Sequence, residues 1–167
     1  MDENERLIIA LTQTVNQVTK RISPQRDFSR INRAPARGEM SVRDIVASMR
    51  DNEAVAFAKL HMRATSTEPP DFREVELPSG VPANPDDSIF IVMSQFRRLR
   101  QSTLSLLKEL PPDAWRRVAR DVDNRTVTIR DVAEALLRHD HERLKQIDRT
   151  LIARDALPHT VRPLVTA

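Results

Sequence analysis

The sequence predicts an all-α protein, a bundle of four long helices, and three observations carry that prediction. Four stretches repeat apolar residues at three- and four-residue steps, the spacing that lines one face of a helix. Only 2 of the 167 residues are Gly, so the backbone joints that β-rich folds use freely are scarce. The 11 Pro gather between the periodic stretches, where they end helices instead of interrupting them.

The first helix begins after Asp2, with Glu5 three residues on as the second half of a capping box. It carries Leu7, Ile8, Leu11, Val15, Val18 and Ile22 on one side, and Pro24 ends it. The segment SPQRDFSRINRAPARGEM has no periodic face and reads as a loop with at most one short turn. Its Arg26, Arg30, Arg33 and Arg37 are read as solvated surface in preference to a phosphate grip.

Ser41 caps the second helix, with Asp44 in its first turn, and the helix runs to about Ala64. It buries Val42, Ile45, Val46, Met49, Ala56, Phe57 and Leu60; Glu53 interrupts that face and needs either water or a cation. Pro69, Pro70, Pro78, Gly80, Pro82 and Pro85 then rule out a regular helix, leaving a long Pro-rich loop between the second and third helices. Asn84, Pro85, Asp86 and Asp87 read as the start of the third helix, with Asn84 its N-cap. Its buried edge is Ile89, Val92, Met93, Phe96, Leu99, Thr103, Leu106, Leu107 and Leu110, with Arg97, Arg98 and Arg100 on the other side, and Pro111 and Pro112 stop it.

Asp113 to Val118 reads as one helical turn carrying Trp115, the only tryptophan, as a plug for the end of the bundle. The link DVDNRTV begins with the spacing of a calcium loop but puts Arg125, Thr126 and Val132 where an oxygen ligand, a glycine and a glutamate belong, so that reading fails. Thr128 and Asp131 open the fourth helix, whose stripe of Ile129, Val132, Ala133, Leu136, Leu137, Leu144, Ile147 and Leu151 has Asp140 set into it. The whole chain, 1–167, is expected to be a single domain, with 153–167 an irregular tail.

Composition narrows function mainly by exclusion. The 27 basic residues exceed the 24 acidic ones by only 3, too small a surplus to name a partner. No cysteine means no disulfide, no thiolate metal site and no cysteine nucleophile. MDENERLIIALTQ starts acidic and lacks the apolar core of a signal peptide, and no run approaches the roughly 20 residues that cross a bilayer. A cytoplasmic protein without membrane contact is expected. Arg97, Arg98, Arg100, Arg116, Arg117 and Arg120 form a basic set, but 4% aromatics and no tyrosine offer few stacking platforms, so nucleic acid is not an expected partner.

Ser-x-x-Asp-Ile-Val-Ala at 41–47, Glu53, the phrase LKELPPDAW after the third helix, and Thr-x-x-Asp leading to RHDHERLKQI together resemble the DinB/YfiT-like superfamily, from the first helix to Ile147. The resemblance implies an up-down-down-up topology, a homodimer, and in many members a divalent metal such as Ni, Zn or Fe held by three histidines. One histidine belongs to the second helix and a pair spaced i, i+4 to the fourth. Some members are thiol-dependent transferases or isomerases.

This chain departs from that pattern. Matched residue by residue, the three ligand positions are Ser48, His139 and Arg143, and only His139 is a histidine. Met40 stands where many relatives carry tryptophan. A guanidinium repels a cation and one imidazole with a hydroxyl does not hold a transition metal, so no metal cofactor is expected. His141 points roughly 200° away from His139 around the helix and is no substitute; His61 and His159 read as surface.

The expected site is a polar pocket of Ser48, Asn52, Glu53, His139, Asp140 and Arg143, in which Arg143 takes the place of the metal and pairs with Glu53 or Asp140. It is either a buried ion-pair network or a pocket for a small anionic or thiol-bearing ligand. The expected function is a non-metal binding or regulatory module. The alternative is a thiol-dependent S-transferase or isomerase-like enzyme, with His139 as acid/base and Arg143 holding an anion.

Overall fold

Local capping chemistry sets where the long helices begin. In the computed structural model, residues 1–75, 84 and 86–165 are described. Helix α1 (Glu3–Ile22) opens on a reciprocal capping box: Glu5 N donates to Asp2 Oδ1 at 2.7 Å and Asp2 N donates to Glu5 Oε2 at 3.0 Å. After Pro24 comes a single short turn, α2 (Ser29–Asn32), which seats Ile31 in the core. Helix α3 (Val42–Thr65) starts where Ser41 Oγ accepts from Asp44 N at 3.0 Å. Helix α5 (Ile129–Ala153) starts on the Thr128–Asp131 capping box.

Helix α4 (Ile89–Glu109) begins four residues later than the sequence suggests, and its cap is Ser88, which accepts from Ile91 N at 3.4 Å. Asn84 spends its side-chain acceptor locally, on Asp86 N at 3.0 Å, while its carbonyl takes Asp87 N at 3.0 Å, so it makes a turn and not a helix start. Pro78, Gly80, Pro82 and Pro85 lie outside the described residues. The part of that connection described holds a 3-10 turn, Phe72–Glu74, with Phe72 buried.

A second difference lies in the link before α5. Val118–Arg120 (β1) and Thr126–Thr128 (β2) pair antiparallel, a hairpin closed over Asp121 to Arg125 with Asn124 at positive φ, where asparagine is tolerated. Arg120 N donates to the Pro70 carbonyl at 2.9 Å, which ties the hairpin to the α3–α4 connection.

The protein is mostly helical, with four long helices packed as a bundle. Helix α3 packs on both α4 and α5, and α1 closes the opposite side against α5 and α4. Two apolar clusters fill the interior. One gathers Val18, Ile22, Ile45, Met49, Val92, Phe96, Leu144 and Ile147. The other gathers Leu7, Leu11, Leu60, Leu107, Trp115, Ile129 and Leu136, with Trp115 filling the end beneath the hairpin. The tail beyond Ala153 is irregular yet anchored: Leu164 N donates to Asp148 Oδ2 at 2.8 Å, and Gln25 Nε2 donates to the Ala156 carbonyl at 2.7 Å. None of the described helices is long and apolar enough to cross a membrane.

Candidate functional site

Between the two apolar clusters lies a layer of charge. Three of the long helices, α3, α4 and α5, each bring one charge to it, because Glu53, Arg100 and Asp140 occupy apolar stripes one turn beyond Met49, Phe96 and Leu136. The Arg100 guanidinium donates through Nε (2.9 Å) and Nη2 (2.7 Å) to Glu53 Oε2, through Nη2 to Asp140 Oδ1 at 3.1 Å, and through Nη1 to the Leu11 carbonyl at 2.8 Å. Thr103 Oγ1 donates to the other Glu53 oxygen at 2.6 Å. All three charged side chains are at most 1% exposed.

Burial alone would lower the pKa of Arg100; the facing Glu53 and Asp140 carboxylates outweigh it and hold it above its ordinary value. At Asp140 burial wins over the attraction of Arg100, and its carboxyl is pushed up to about 6. Its Oδ2 lies 2.9 Å from Arg100 Nη2 but receives no well-directed hydrogen bond.

The sequence places Arg100 among surface arginines and Arg143 against Glu53 or Asp140; the structure reverses both assignments. Arg100, one turn after Phe96 and three residues before Thr103, continues the buried edge of α4, so the cation that Glu53 required comes from that helix. Arg143 turns the other way. Its Nε donates to His139 Nε2 at 3.3 Å, and its Nη1 donates to Gln146 Oε1 at 2.8 Å and lies 4.0 Å from Met40 Sδ.

That bond fixes a tautomer. The guanidinium can only donate, so His139 Nε2 accepts and the imidazole proton sits on Nδ1, which is buried without a hydrogen-bond partner among the described residues. Burial first, then the Arg143 and Arg100 charges, lower the His139 pKa and keep the ring neutral.

The six expected pocket residues therefore fall into separate settings. Glu53 and Asp140 meet through Arg100; His139 and Arg143 meet each other. Ser48 Oγ donates to the carbonyl of Ile45 at 2.7 Å on its own helix. Asn52 lines a cleft of about 280 Å³ between α3, α5 and the hairpin. His61, His141 and His159 are exposed. Sequence reasoning missed Arg100 and Thr103, and missed Gln146 and Met40 as partners of Arg143. The signal for Arg100 was present: a single cation set in an apolar stripe, opposite stripes that each carry a single carboxylate. Among the described residues, no group of three or more His, Asp and Glu side chains is placed to hold a metal ion.

A sequence profile of the DinB superfamily matches residues 10–147. The chain belongs to the DinB superfamily. The DinB match takes in most of α1, all of α3 and α4, and α5 through the charged layer and the His139–Arg143 pair, and leaves residues 1–9, Asp148 and the tail beyond it. Among solved structures, YfiT from Bacillus subtilis, described as "a probable metal-dependent hydrolase with an unusual four-helix bundle topology", aligns over 93% of this chain and 90% of its own, with TM-score 0.76 and 13% identity. A variant of mycothiol-dependent maleylpyruvate isomerase aligns over 93% of this chain but only 61% of its own length, with TM-score 0.61 and 14% identity. At these identities both show a shared DinB fold. No curated protein matches the chain.

Proposed function

We propose that this chain is a DinB bundle of up-down-down-up topology, its proline-rich connection crossing between α3 and α4, that serves as a metal-free binding or regulatory module. The observation that carries the reading is the Arg143–His139 bond. A nitrogen that would face an ion in the family pattern instead accepts from a guanidinium, and the positive charge of that group stands beside it. The other expected ligand position is Ser48, a hydroxyl already donating to a backbone carbonyl. One imidazole, one committed hydroxyl and one guanidinium do not fit a divalent Ni, Zn or Fe ion.

The ligand in this reading is small and anionic or thiol-bearing, drawn by Arg143. The alternative reading, an S-transferase or isomerase-like enzyme, is favoured by the fold shared with the mycothiol-dependent isomerase and by the neutral state of His139, which suits a general base. Both readings make the protein a cytoplasmic homodimer.

Elemental analysis of the purified protein and thermal shift with nickel, zinc, ferrous iron and low-molecular-weight thiols test the proposal. The expected result is far less than one metal per chain, no stabilisation by the ions, and stabilisation by a thiol or an anion. A stoichiometric metal that disappears in His139→Ala would overturn it. Light scattering on a sizing column reads the oligomeric state.

A further inference from the structure

The cleft that Asn52 lines lies in the groove between α3 and α5, one helical turn from the family positions Ser48 and His139. On α3 the steps are Ser48, Asn52, Val55 and Lys59; on α5 they run the other way, through His139, Ala135 and Val132. Asn52 is one turn from Ser48 and Ala135 one turn from His139, and Arg138, the residue before His139, stands at that end of the cleft. The hairpin, through Val127, and the buried ring of Phe72 close its far end.

Its lining divides by chemistry. The apolar part is Val55, Ala56, Val127, Val132, Ala135 and Leu136, and charge is confined to Lys59, Asp121, Asp131 and Arg138. Three of those four charges are already engaged. Asp131 Oδ2 takes Thr128 N and Oγ1 at 2.8 Å each. Lys59 Nζ lies 3.7 Å from Asp121 Oδ1 and 5.6 Å from the centre of the Phe72 ring. Arg138 is exposed at the rim and has no ion pair among the described residues. An apolar cleft edged by an exposed guanidinium with no ion pair among the described residues is complementary to an apolar body with one negative end.

We propose that this cleft binds a compact apolar monocarboxylic acid, its carboxylate on Arg138 and its hydrocarbon body against Val55, Val127, Val132 and Leu136. The volume, about 280 Å³, suits a phenylalkanoate or a medium-chain fatty acid and is too small for a nucleotide or a long lipid chain. The inference deepens the metal-free reading and rests on it at one point: the end of the ligand nearest α5's His139 meets a cationic side chain and not a metal ion.

Isothermal titration of the full chain with phenylpropionate, octanoate and the neutral phenylpropanol tests it. Phenylpropionate binds, the alcohol binds about tenfold more weakly, and Arg138→Gln weakens the acid about tenfold while leaving the alcohol unchanged. Ala135→Trp, at an exposed position on the cleft wall, removes binding, whereas Arg98→Gln, in the separate groove between α3 and α4, has no effect. Amide chemical-shift changes in the unmutated protein centre on Val127, Val132 and Ala135. Absence of binding by both acids, equal affinity for acid and alcohol, or shift changes centred on Phe57 and Leu106 of the other groove would each overturn the inference. None of those results bears on metal content, so the two proposals fail separately.

Discussion

Arg100 faces two carboxylates and a carbonyl in a setting from which water is excluded, and its removal is not a simple loss of bonds. Arg100→Met leaves Glu53 and Asp140 facing each other without a cation, and we expect a loss of about 3–5 kcal/mol in denaturant unfolding. Arg143 is half-buried and bonded to neutral partners, so Arg143→Ala is expected to cost under about 1 kcal/mol. It also takes a positive charge from the ring beside it. The His139 pKa, followed by NMR titration, should therefore rise in Arg143→Ala; an unchanged value would mean that the two side chains do not meet in solution.

Asp140 gives a pH dependence of defined sign. Its folded-state pKa is raised to about 6 from an ordinary 3.8, so between those values the folded protein holds a proton that the unfolded chain has released. The stabilisation is complete below the lower value and is lost as pH rises through the upper. Asp140→Asn removes this term. Its destabilisation relative to the unmutated protein should be largest near pH 4 and shrink by up to about 3 kcal/mol by pH 7. A difference that grows with pH would refute the burial argument.

Helix starts were legible in the sequence where the chemistry is local. Asp2 with Glu5, Ser41 with Asp44 and Thr128 with Asp131 each satisfy backbone donors within four residues, and all three stand where the sequence puts them. Thr128→Ala should cost about 1 kcal/mol, and hydrogen exchange should show the loss concentrated in the first turn of α5. The start of α4 was misread because Asn84 carries equally good turn chemistry, and two acceptors compete for the same role. The hairpin escaped because strands of three residues are too short to show alternation. At the candidate site, the i, i+4 spacing of His139 and Arg143 was legible and their contact follows from it. The partner of Glu53 was not, since it depends on how α4 is rotated against α3, a property of packing and not of either helix alone.

Taken whole, the bundle is two apolar half-cores joined through one charged layer. Replacing the layer together, as Glu53→Met with Arg100→Leu and Asp140→Leu, removes the desolvation cost along with the attraction. The triple variant should match or exceed the parent's stability by up to about 4 kcal/mol, while the single Arg100→Met stays strongly destabilised. Additive losses in the triple variant would show that the layer is a net source of stability.

A further buried ion pair lies away from the charged layer. Arg21, near the end of α1, and Asp148, late in α5, are both wholly enclosed, and the backbone of Leu164 completes the carboxylate's bonding. During synthesis the carboxylate that encloses Arg21 in the folded protein arrives only 127 residues after it. The native burial of Arg21 therefore waits for α5. A fragment ending before Asp148 leaves Arg21 without the enclosed carboxylate that fixes the end of α1.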